Sequence, residues 1–113
     1  MNDQEPQITC AFKSQSALHA AYMPFVKGGG LFIRTDNILP LETNVRVSVT
    51  LMDELEPYLV EGKVVWITPK GAQDNKPPGI GIQFSHENGK YLSSKIENYL
   101  AGMLKSSTHT DTI

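Results

Sequence analysis

The sequence predicts a mainly β domain, a small antiparallel β-barrel with a C-terminal α-helix packed on it. Three observations carry that expectation. Val45, Val47, Val49 and Leu51 alternate with Arg46, Ser48 and Thr50, the period-two pattern of a strand with one buried and one wet face. The run Pro24-Phe25-Val26-Lys27-Gly28-Gly29-Gly30 empties straight into the apolar segment Leu31-Phe32-Ile33. Three consecutive glycines mark a backbone path that side chains would block. From Asn88 onward the period changes, and Leu92, Ile96, Tyr99, Leu100 and Met103 fall three and four residues apart, one stripe of an amphipathic helix.

The elements follow in order. Ile8 to Lys13 reads as a short strand with Ile8, Cys10 and Phe12 on one side. Ser16 to Tyr22 is alanine-rich and reads as a turn of helix, halted by Pro24 because proline disfavours α geometry in the residue before it. Gly30 to Thr35 is a strand, and Asp36-Asn37 turns the chain toward the clear strand Asn44 to Met52. Tyr58 to Thr68 is a long strand in which Gly62 marks a bulge or a close approach, and Trp66, in the middle of an apolar run, is expected in the core. Pro69 to Pro78 is a loop, and Gly79 to Phe84 is a closing strand whose glycines suit a tightly curved sheet. Asn88 is the expected N-cap of the helix. Residues 1–7 and 105–113 are polar and expected to be loosely ordered around a single domain spanning 8–104.

At 113 residues the chain can bury a core without metal or disulfide staples. Its net charge of −2 gives no general electrostatic attraction to nucleic acid or an anionic membrane. No apolar run approaches the roughly 18–20 residues of a transmembrane helix. A single cysteine, Cys10, and a polar N-terminus fit a reducing, cytoplasmic setting.

Catalytic and metal chemistry find little to work with. His19, His86 and His109 lack ligand spacing, and Cys10 has no neighbouring histidine, so a small buried hydrophobe is its simplest reading. Asp53, Glu54 and Glu56 crowd a turn beside Pro57, where solvated charges are expected. No enzyme, metal or cofactor is expected. Lys27 beside the glycines could cradle an anion, but the run opens a strand and has no helix behind it, so a tight β-turn is the favoured reading. Tyr22 to Val26 lies in a connection, and connections run over surfaces. Tyr22 and Met23 are therefore expected to be exposed as a contact patch, while Phe25 and Val26 could equally fold back over the barrel.

The glycine turn resembles the signature turn of PilZ domains, small β-barrels known as receptors for cyclic di-GMP. Nucleotide-binding members carry an R-x-x-x-R pair before the barrel and a [D/N]-x-S-x-x-G turn. Arginine pairs phosphates and stacks on bases in ways that lysine cannot. Here the turn pattern maps onto Phe25 to Gly30. Phe25 stands at the acidic or amide position, Lys27 at the serine position, and Gly30 survives. No arginine precedes the turn, and Lys13 is the only lysine before Lys27.

Tyr22 to Gly30, Gly62-Lys63-Val64-Val65-Trp66-Ile67-Thr68-Pro69, Gly71-Ala72-Gln73 and Gly79 to Phe84 are similar to one branch of the family. These are the short single-domain proteins of type IV pilus assembly, which lack the cyclic di-GMP motifs. The resemblance covers roughly residues 8–104. It implies a non-enzymatic adaptor that contacts the pilus extension ATPase and, in some bacteria, a degenerate EAL-domain cyclic di-GMP receptor, in pilus biogenesis and twitching motility; a monomer is the default expectation for a helix-capped barrel. Neither nucleic acid nor membrane insertion is implied. The expected contacts are Tyr22, Met23, Pro24 and Phe25, with Met103 and Leu104 at the end of the helix. The rival is a divergent cyclic di-GMP sensor in which Lys13, Lys27, Arg34 and the glycine turn still hold the nucleotide.

Overall fold

The computed structural model describes residues 5–72 and 75–111, with side chains described as far as Ala101. In chain order it contains β1 (Gln7–Phe12), α1 (Gln15–Ala21), β2 (Gly30–Arg34), β3 (Asn44–Leu51), β4 (Tyr58–Thr68), β5 (Gly79–Ser85) and α2 (His86–Asp111). Among the described residues the strands form one curled sheet in the order β1-β3-β4-β5-β2, half a barrel rather than a closed one.

β3, β4 and β5 form an antiparallel meander, and β2 pairs antiparallel on the far side of β5. β1 departs from the antiparallel expectation by pairing parallel with β3. A parallel pair needs a crossover, here supplied by α1 and β2 between the two strands. β1 and β2 therefore end as the two edges of the sheet, and α1 packs against both.

The alternation in β3 sends Val45, Val47, Val49 and Leu51 into the core. Facing them are Leu92, Ile96 and Leu100 from α2 and Leu18 from α1, all buried. Burying each such side chain contributes about 1.5–3 kcal/mol. α1 begins at Ser14, whose hydroxyl accepts from the Ala17 amide (3.1 Å). α2 begins two residues before the expected cap. Asn88 lies inside its first turn and donates through Nδ2 to the Leu59 carbonyl (3.3 Å).

Trp66 is not in the core; it is 54% exposed. The register explains this. Gly62 faces Phe84 and Val64 faces Ile82, but after the bulge Trp66 faces Gly81 and Ile67 faces Ile80. The extra residue, Val65, inverts the alternation, so Trp66 turns outward and Ile67 takes the inner position. Gly62 is the close approach, since a Cβ there would collide with Ile82 Cγ2 on β5. The bulge lies beyond it.

Candidate functional site: the glycine turn and the outer face of the sheet

The connection from α1 to β2 is a doubly wound turn. The Val26 amide donates to the Met23 carbonyl (3.2 Å), and the Gly29 amide donates to the Val26 carbonyl (2.7 Å). Gly28 and Gly29 take φ of 83° and 85°, left-handed values that glycine adopts without a steric penalty. The turn is clamped from outside through its carbonyls. Gln83 Nε2 donates to Lys27 O (2.9 Å), Ser93 Oγ to Gly28 O (2.9 Å), and the Phe84 amide to Gly29 O (3.0 Å). A Cβ on Gly29 would collide with Ser93 Oγ, and one on Gly30 with the Ile82 carbonyl. The close fit of β5 and α2 against the turn accounts for both glycines.

Tyr22 and Met23 are buried, at 9% and 7% exposure, against the expectation of an exposed patch. Tyr22 caps α1 and folds toward α2, where its hydroxyl donates to Glu97 Oε2 (2.7 Å). Burial first, then the Glu97 bond, pushes its hydroxyl pKa up to about 12. Met23 lies over β5, where the missing side chain of Gly81 leaves room; a Cβ on Gly81 would sit 3.0 Å from Met23 Sδ and 2.8 Å from Trp66 Cβ. Pro24 is exposed, Phe25 is 77% exposed, and Val26 is half-buried. Met103 and Leu104 lie outside the residues whose side chains are described.

The outer face of β5 thus carries an apolar strip that the sequence did not reveal. The Phe32 ring occupies the space over Gly79, while Met23 and Trp66 flank Gly81. Trp66 Nε1 is satisfied by Thr68 Oγ1 (2.9 Å), which leaves the indole face to solvent. The signal was the spacing Gly79-x-Gly81, but reading it required the register of β4.

The cations named for nucleotide binding are not brought together. Lys27 lines a groove of about 400 Å³ between the turn and α2, shared with Lys90 and Glu97. Arg34 lines a different cavity, between β1 and β2, and Lys13 lines neither. Cys10 is a half-buried thiol whose pKa burial raises to about 11, far from thiolate reactivity at neutral pH. Glu54, from the acidic turn, is a structural acceptor bonded by Tyr58 OH (2.6 Å) and Tyr99 OH. No group of three or more histidine, cysteine or acidic side chains that could hold a metal occurs among the described residues. No helix of the described residues is long and apolar enough to cross a membrane.

A curled half-barrel sheet with a C-terminal helix on its inner face, and a glycine turn at its rim, is a fold of the PilZ-like class. The PilZ domain family model matches residues 5–102, and the chain belongs to that family. Membership implies an adaptor or sensor role in cyclic di-GMP signalling, in a family whose domains are generally binding modules without catalysis. No curated protein matches the chain.

Proposed function

We propose that this chain is a cytoplasmic adaptor of the pilus-assembly branch, working through protein contacts and not binding cyclic di-GMP itself. The observation that carries this reading is Phe25, an aromatic ring 77% exposed at the position that nucleotide-binding members give to an acidic or amide side chain. A large apolar side chain held in water on a clamped turn is a recognition feature. Trp66 and the half-buried Phe32, with the buried Met23 packed beside Trp66, add apolar surface on the outer face of the sheet. The partner is the pilus extension ATPase, with a degenerate EAL-domain receptor where one exists, and the chain acts as a monomer in pilus biogenesis and twitching motility.

The divergent-sensor reading has one observation in its favour, the two lysines Lys27 and Lys90 on a single groove. Glu97 on the same wall and the absence of any arginine there weigh against it. The test is affinity for the ATPase in Phe25→Ala and Trp66→Ala. Each is expected to lose about tenfold or more, the scale of a hot-spot side chain. Unchanged affinity in both variants overturns the assignment.

A further inference from the structure

The half-barrel is unclosed between β1 and β2, and its seam has a chemistry of its own. In a parallel pair, alternate residues address the neighbouring strand. The Pro6 and Phe12 carbonyls both accept from the β3 side, from Arg46 N (2.9 Å) and Met52 N (2.7 Å). The even residues of β1 therefore face β3, and Thr9 and Ala11 turn their amides and carbonyls toward the seam.

On the opposite wall, Thr35 N bonds the Pro78 carbonyl and Gly29 O accepts from Phe84 N, so the odd residues of β2 face β5. The backbone amide and carbonyl of Arg34 then address the seam, and Arg34, an exposed residue, lines the space beside it. Between the walls lies a cavity of about 620 Å³, floored by the small side chains Ala17 and Ala20 of α1. Arg34 is the only charged residue among those described on its lining, and it makes no ion pair with a described residue.

An open edge is normally blunted by charge, proline or a bulge. β1, with the sequence QITCAF, has none of these; Pro6 and Lys13 only bracket it. We propose that the seam takes an extended segment of a partner protein, which adds a strand to β1, lays apolar side chains over Ala17 and Ala20, and places an acidic side chain on Arg34. The amide and carbonyl groups of Thr9 and Ala11, which pair with no strand among the described residues, call for one. The unmatched guanidinium calls for a carboxylate. A second copy of β1 brings no carboxylate and leaves Arg34 unmatched. The inference rests on the chain being a protein-binding module, but not on the ATPase being its partner.

The experiment uses the full chain and two synthetic peptides, acetylated Val-Thr-Val-Glu-Val-Thr-Val amide and the same peptide with lysine for glutamate. Amide hydrogen exchange is read residue by residue. The glutamate peptide is expected to slow exchange at Thr9 and Ala11 by about tenfold or more, and to bind about tenfold more tightly than the lysine peptide. Arg34→Glu reverses that preference, a readout that does not depend on any change to the edge. Ala11→Pro, which deletes one edge amide, removes the protection.

Unchanged exchange at Thr9 and Ala11 with millimolar peptide overturns the proposal, as does equal binding of the two peptides. Protection that rises with protein concentration alone assigns the edge to a second copy instead. Effects confined to Arg34 and reproduced by acetate reduce the seam to an anion contact. A failed peptide test leaves the ATPase reading standing, because that reading is measured through Phe25 on a different surface.

Discussion

Phe25 and Tyr22 sit three residues apart and do opposite things. Tyr22 is folded into the molecule and bonded to Glu97, whereas Phe25 points into solvent from the same connection. Tyr22→Ala therefore acts on the fold. It deletes a buried aromatic ring and is expected to cost about 3 kcal/mol of stability, seen as a lower denaturant midpoint. Phe25→Ala is expected to leave the midpoint unchanged within about 0.5 kcal/mol, as surface substitutions do. An equal loss in both variants would mean that Phe25 packs on the barrel.

The glycines separate in the same way. Gly29→Ala combines a left-handed φ with a collision at Ser93 Oγ, and is expected to cost about 2 kcal/mol or more. Gly71→Ala has a left-handed φ of 77° but open space around it, so only the backbone strain of about 1 kcal/mol remains. Comparable midpoints for the two variants would contradict the clamped turn. At this scale the sequence marked the right segment and misassigned its first two residues, Tyr22 and Met23. Connections do run over surfaces, but nothing local signals that Gly81 leaves a berth for Met23 or that Glu97 waits for Tyr22.

The strands themselves were legible wherever a strand's own pattern decided the matter, as in β3 and in the period change that announces α2. They were illegible where a neighbour decided it. Trp66 turns outward because β4 is bulged against β5, and β1 runs parallel to β3 because the chain returns from the far edge of the sheet.

The turn between β3 and β4 is another such case. Glu54 reaches across to α2 and accepts from Tyr58 and Tyr99, a clamp with no signature in spacing. The Tyr58 hydroxyl first, then that of Tyr99, holds the Glu54 carboxyl below its ordinary range. Because its folded pKa is the depressed one, the stability that it contributes is present above the unfolded value of about 4.3 and is lost as pH falls through the folded value. Glu54→Gln is expected to flatten this acid limb of the stability curve while leaving its slope near neutrality unchanged. An identical acid limb in the variant would show that the two tyrosines bond the carboxylate too weakly to matter. Both tyrosines are shifted upward, Tyr58 chiefly by burial and Tyr99 chiefly by its bond to Glu54. Their contribution runs the other way: it is full below about 10 and declines as the pH rises.

At the level of the molecule, the half-barrel packs its inner face against α2, and the contacts proposed for it lie on its rim and outer face. The core is aliphatic, with no buried side-chain polar atom left without a partner among the described residues. On the proposed reading, the chain differs from a nucleotide receptor by a substitution of chemistry along the glycine turn, with Phe25 and Lys27 where short polar side chains would read a base.

The measurement that bears most directly on this is calorimetric titration of the full chain, first with cyclic di-GMP and then with the pilus extension ATPase. No heat with the nucleotide, together with saturable binding to the ATPase, is the expected result. Micromolar nucleotide binding would contradict it and make the groove between Lys27 and Lys90 a working receptor site.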